Sequence, residues 1–163
     1  MKLEILSLPN DKLRQKAAVV KAEQLRSEEF QLFINALIET MKTADGVGLA
    51  APQVDHPYRL FVVATDEGAK VFVNPKILMS SWRKEDDEEG CLSIPGVYGL
   101  VRRPKSIMIR AWDRYGKLFT IKARGLLARV IQHENDHLNG ILFIDKVKRI
   151  TKGEKQFEEM TGK

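Results

Sequence analysis

The chain has 163 residues, 44% of them hydrophobic, enough for one globular core without staples, and its single cysteine excludes an intramolecular disulfide. No apolar stretch approaches the roughly 20 residues of a membrane span, and the opening Met1-Lys2-Leu3-Glu4-Ile5-Leu6 lacks the apolar core of a secretory signal, which predicts a cytoplasmic protein with no membrane partner. A net charge of +5 and a pI of about 9.3 suit transient association with an RNA-rich partner such as a ribosome, but Lys and Arg are scattered along the sequence and aromatic residues are few, so no specific DNA recognition is expected.

No internal repeat interrupts the chain, which predicts one catalytic domain over residues 1–150 and a polar tail over 151–163 that is a short helix or frayed. Ser27 precedes Glu28 and Glu29, and Phe30, Phe33, Ile34, Leu37, Ile38 and Met41 follow at three- and four-residue spacing. That pattern predicts an N-terminal amphipathic helix, ending near Ala44-Asp45-Gly46. After a glycine-rich loop, strands are expected over 58–64, 70–74 and 77–83, the last two separated by Asn74-Pro75. A hairpin is expected from 106–112 and 117–122 around the turn Asp113-Arg114-Tyr115-Gly116. A helix over the apolar run from Gly125 then carries His133-Glu134-Asn135-Asp136-His137 and stops at Asn139-Gly140. Ile141 to Ile144 reads as a short buried strand or extended segment.

The histidine pair is the most informative feature. One helical turn separates His133 from His137, so both imidazoles leave the same face and can converge on one cation. Glu134 is badly directed for a third ligand but can reach a metal-bound water as general acid or base. Taken alone, Cys91 in Glu89-Gly90-Cys91-Leu92-Ser93 is more often a packed small hydrophobe than a ligand. Beside two histidines the odds reverse, because two neutral imidazoles and one thiolate suit a divalent ion and leave an open position for water. The third segment, Gly46-Val47-Gly48-Leu49-Ala50-Ala51-Pro52-Gln53, lacks the Lys and Ser/Thr of a phosphate loop. Its glycines can set backbone groups beside an extended ligand, and Gln53 offers an uncharged donor to an oxyanion; read alone, a small-residue turn that lets two elements pack closely is the favoured reading.

These three segments, in this order, resemble the signature blocks of the bacterial peptide deformylases. The resemblance implies an α+β fold in which small antiparallel and mixed sheets surround the metal-bearing helix. It implies removal of the N-formyl group from the initiator methionine of nascent polypeptides, with release of formate. Cys91, His133 and His137 would hold the metal, with ferrous iron as the physiological ion and zinc, nickel or cobalt as substitutes. Glu134 would move the proton, and the Gln53 amide with the Leu92 N–H would meet the oxyanion. The peptide would lie extended between Val47-Gly48 and Gly90-Cys91. Its methionine would occupy a slot lined by Val47, Ile94, Leu126, Val130 and the His133 ring. Arg129 and Tyr98 depart from some relatives; the Arg129 stem would cover apolar surface with its head in solvent.

Outside these blocks, Asp136 is expected to pair with a base such as Arg103, and Glu89 to orient the Cys91 segment. Glu85 to Glu88 read as a solvated strand face, His56 as a surface histidine, and Trp82 and Trp112 as strand core or edge packing. Two rival readings share parts of this pattern. A zinc peptidase would draw its third ligand from a downstream His or Glu, against which Cys91 argues. An idle ribosome-associated module would have lost residues of the site, yet Gln53, Cys91, His133, Glu134 and His137 are all present.

Overall fold

Alternation along the strands divides the buried apolar residues between two faces of one sheet. The computed structural model describes residues 1–163. β1 (Gly48–Ala50), β2 (Leu60–Thr65), β3 (Gly68–Ser80), β6 (Ser106–Trp112) and β7 (Leu118–Arg124) form a five-stranded sheet in the order β1-β2-β3-β6-β7. β4 (Lys84–Cys91), β5 (Ile94–Pro104) and β8 (Val147–Lys152) form a second sheet in the order β4-β5-β8. The helices are α1 (Ala22–Arg26), α2 (Glu28–Thr43), α3 (Gly125–His137) and α4 (Glu154–Thr161). Every strand pair is antiparallel; the one parallel contact is an isolated bridge between Ala18 and Tyr58. No helix is long and apolar enough to cross a membrane.

Leu60, Val62, Val71 and Val73 turn to one face of the larger sheet and pack with Phe30, Ile34, Leu37 and Met41 of α2. Their neighbours Phe61, Val63 and Phe72 turn to the other face and meet Ala128, Val130 and Ile131 of α3. Each fully buried side chain of this kind contributes about 1.5–3 kcal/mol. Ser27 starts α2 by accepting from the Phe30 N–H at 3.2 Å, and Asp45 in the left-handed region (φ 53°) ends it. A third core of Leu13, Ile94, Val97, Val101, Leu142 and Phe143 lies against the smaller sheet. α3 therefore packs on the face of the larger sheet away from α2 and also touches β5 of the smaller sheet, and its inward face is the one that carries the histidines.

Several elements differ from expectation. Asn74-Pro75 does not separate two strands: β3 runs through it, with Asn74 at φ 50° and the pairing to β6 shifted between Val73 and Lys76. Proline costs a ladder bond, and the bulge absorbs the loss while the Asn74 amide bonds both polar groups of the Val20 backbone at 2.8 Å. Trp82 lies beyond the strand and is 85% exposed, so it packs in no core. Ile141 to Ile144 contains a 3-10 turn, Phe143–Asp145, in place of a strand, because the Asp145 carboxylate captures the Leu142 N–H at 2.9 Å. The tail, expected as a short helix or frayed, takes the first form: β8 reaches Lys152, and α4 rests Phe157 and Met160 on the third core.

Candidate metal centre and cleft

The four-residue spacing on α3 brings the rings of His133 and His137 to 5.2 Å between centroids. Cys91, the last residue of β4, places Sγ 3.3 Å from His137 Nε2. The three ligand atoms lie within 4.8 Å of one another. His133 Nδ1 bonds Glu89 Oε1 at 2.9 Å, which fixes the tautomer and directs Nε2 to the cluster, as a carboxylate behind a metal-binding histidine does. Glu89 is in turn held by Arg103 Nε and Nη2 at 2.6 and 2.9 Å and by Arg129 Nη1 at 2.7 Å. Arg103 also reaches Asp136 at 2.9 Å, the pairing the sequence pointed to. This chemistry fits a divalent ion: two imidazole nitrogens and a sulfur converge, backed by a carboxylate whose own charge is anchored.

The electrostatics agree. Burial holds His137 well below its ordinary value, assisted by His133 and Arg103, and so keeps it a neutral ligand. Burial pulls His133 down as well, but its bonds to Cys91 and Glu89 outweigh that and raise it well above its ordinary value. Burial would raise Glu89, yet His133 and Arg103 hold it at about 2. Burial pushes Glu134 up to about 7 against the opposing pull of His133, and its Oε2 bonds to no protein group. A carboxyl of that strength, with a free oxygen, is equipped to exchange a proton near neutral pH.

A cleft of about 450 Å³ opens beside the cluster. Of the residues singled out from sequence, Val47, Gly48, Gln53, Gly90, Cys91, Leu92, Ile94, Leu126, Val130, His133 and Glu134 line it, and His137 lies behind Cys91. Gly48 is required there, since a Cβ would come 2.6 Å from Glu134 Oε1. Gln53 Oε1 accepts from the Ala50 N–H at 2.9 Å, so Nε2 must face Ser93 Oγ at 3.1 Å and Cys91 Sγ at 3.5 Å. The Leu92 N–H donates to no other backbone group.

Three points correct or extend the sequence reading. The Arg129 head is buried, bonding Glu89, the Val101 carbonyl at 2.8 Å and the Glu85 carbonyl at 3.0 Å, because Glu89 lies under the helix and needs a second base. Ser93, fully buried, holds the Gln53 amide; it stood within the quoted Gly-Cys-Leu-Ser segment, but nothing in that spacing distinguished it from a strand residue. His56 is half-buried and stacks on Phe33 at 4.4 Å.

A soft three-ligand centre with a buried carboxylate on the same helix defines the class, a mononuclear metalloenzyme of hydrolytic type. Residues 2–153 match the polypeptide deformylase family model. A peptide deformylase of Borreliella burgdorferi is 46% identical over 147 residues, covering 88% of this chain and 86% of the relative. The structure of a peptide deformylase from Synechococcus elongatus in complex with actinonin superposes with a TM-score of 0.85 at 40% identity, over 98% of this chain and 84% of the other. A class I type b peptide deformylase from Acinetobacter baumannii with Met-Ala-Ser bound gives 0.86 at 36% identity, over 90% and 99%. The chain belongs to the peptide deformylase family and is a metal-binding hydrolase of N-terminal protein processing.

Proposed function

We propose that the protein removes the formyl group from formyl-methionine at the start of nascent polypeptides, releasing formate, in the cytoplasm. The observation that carries this reading is the convergence of Cys91, His133 and His137 within 4.8 Å, one residue from a buried carboxyl raised to about 7. A divalent ion held by these three residues supplies Lewis acidity, acidifying a water and polarising the formyl carbonyl. Ferrous iron is assigned as the physiological ion, with zinc, nickel or cobalt as substitutes, on the borderline-soft donor set and the family resemblance.

Glu134 takes the proton from the attacking water and passes it to the departing amine. The Gln53 Nε2 donor and the Leu92 N–H meet the charge that develops on the formyl oxygen; the amide is already oriented by Ala50 and Ser93, so it needs no reorganisation. Val47 is 54% exposed and Leu126 68% exposed, which leaves apolar surface for a methionine side chain to cover beside Ile94, Val130 and the His133 ring. The peptide backbone runs between Val47-Gly48 and Gly90-Cys91, where β1 and β4 end their sheets. Transient ribosome association would bring the enzyme to this substrate. Metal-loaded protein, prepared anaerobically with ferrous iron and separately with nickel, should release formate from formyl-Met-Ala-Ser. Release of free amino acids, or of nothing by either preparation, would refute the assignment.

A further inference from the structure

We propose that the outer face of the larger sheet, across β3, β6 and β7, binds single-stranded RNA. α2 covers this face only over β1 to β3; beyond it the register sets Lys76 opposite Arg110, Lys122 opposite Met108, and Arg124 opposite Ser106. Directly opposed and alternate residues share a face, so Lys76, Arg110, Lys122 and Arg124 form one diagonal row in which each is about 5 to 8 Å from the next. All four are exposed, and none makes an ion pair. β3, β6 and β7 contain no Asp or Glu, whereas on the smaller sheet Arg102, Arg103 and Lys148 pair with Asp86 or Glu89 of β4. The four cations therefore share a face on which no strand carboxylate neutralises them.

Trp82 supplies the second element. It follows Ser81, whose backbone N–H bonds the Ser106 carbonyl at 2.9 Å, and so lies at the Arg124 end of the cationic row. Its ring is 85% exposed, with the Arg83 guanidinium 5.7 Å from the centroid. An open aromatic face beside a run of unpaired cations is what a flexible polynucleotide uses, stacking a base while its phosphates track the charge. A lipid surface fits less well, because the exposed Met79 and Leu118 are divided by the Lys76-Arg110-Thr120 row and form no joint apolar patch to insert. RNA, not DNA, is the polynucleotide that accompanies a newly made polypeptide; that one choice rests on the proposed function.

The test is fluorescence anisotropy of a labelled twelve-residue oligouridine with metal-loaded full-length protein. Four phosphate contacts to a single strand give a salt slope of about −2.8, so affinity should fall about 50-fold between 50 and 200 mM KCl. R110E/K122E should weaken binding at least about tenfold and reduce that slope to about −1.4 or less. W82A should weaken it about five- to tenfold and abolish quenching of indole emission. K155E/K163E, on the last helix and the C-terminal residue, changes net charge equally and should cost less than about twofold. R110Q/K122Q repeats the arm without charge reversal, and formate release by each variant on a short peptide reports folding. Equal weakening by the two charge-reversed pairs, tighter binding to oligothymidine, or a preference for phosphatidylserine vesicles over RNA overturns the proposal. So does an unquenched tryptophan. Loss of RNA binding with formate release intact would leave the enzymatic reading standing, and the converse would separate them equally well.

Discussion

Replacing Glu89 with Gln tests the support behind the metal ligands. The carboxylate is buried and accepts from Arg103 twice, from Arg129 and from His133, at 2.6 to 2.9 Å. Burial alone would raise it, but these donors hold it at about 2, against 4.5 for an ordinary glutamate. That difference corresponds to about 3 kcal/mol of folding free energy. Because the folded value is depressed, the contribution is complete above about 4.5 and is lost as pH falls toward about 2. Glu89→Gln should therefore cost about 3 kcal/mol at pH 7, turn an amide N–H₂ toward two guanidinium groups, and flatten the pH dependence of stability below 4.5. Urea unfolding of chelator-treated wild type and variant, followed by circular dichroism from pH 7 to pH 3, reads both effects. If the two proteins share a midpoint at pH 7 and the same slope below pH 4.5, the anchoring of His133 through Glu89 is refuted.

Three further outcomes follow from the geometry. Glu134→Ala should lower kcat by roughly 10²–10⁴-fold while cobalt-loaded protein keeps its thiolate charge-transfer absorption; loss of that band with normal turnover after reloading would reverse the roles. Gly48→Ala puts a methyl 2.6 Å from Glu134 Oε1, so kcat should fall with metal content unchanged by elemental analysis. Arg129→Leu should destabilise the fold by about 3 kcal/mol in thermal unfolding, with Arg129→Lys recovering part, because a lysine can serve Glu89 and Val101 but not the Glu85 carbonyl as well.

What could be read in the chain depended on whether local order carried the information. The helix over Glu28–Thr43 and the histidine pair on α3 follow from periodicity, since each is a relation between residues three or four apart. The β6–β7 hairpin follows from its Asp-Arg-Tyr-Gly turn. Cys91 could be joined to the histidines only through metal chemistry and family resemblance, because the 41 residues between Cys91 and His133 hide their adjacency. The burial of Arg129 was not legible, since an arginine on a helix looks solvated until the buried Glu89 beneath it is known. β3 was divided at Pro75 because local rules penalise proline and cannot see the bulge that accommodates it. Lys76, Arg110, Lys122 and Arg124 looked scattered for the same reason: strand register, not sequence distance, makes them neighbours.

The outermost position of β4 in its sheet has one more consequence. A strand with an unpaired side is a template on which another molecule of the same protein could zip. Here that strand reads Lys84-Glu85-Asp86-Asp87-Glu88-Glu89, and an antiparallel copy centred on Asp87 would set Glu85 against Glu89, Asp86 against Glu88 and Asp87 against its twin. Like-charge repulsion thus guards against self-association at the rim of the cleft. The run ends before Gly90-Cys91, so the only stretch left hospitable to an incoming backbone is the one beside the metal ligands.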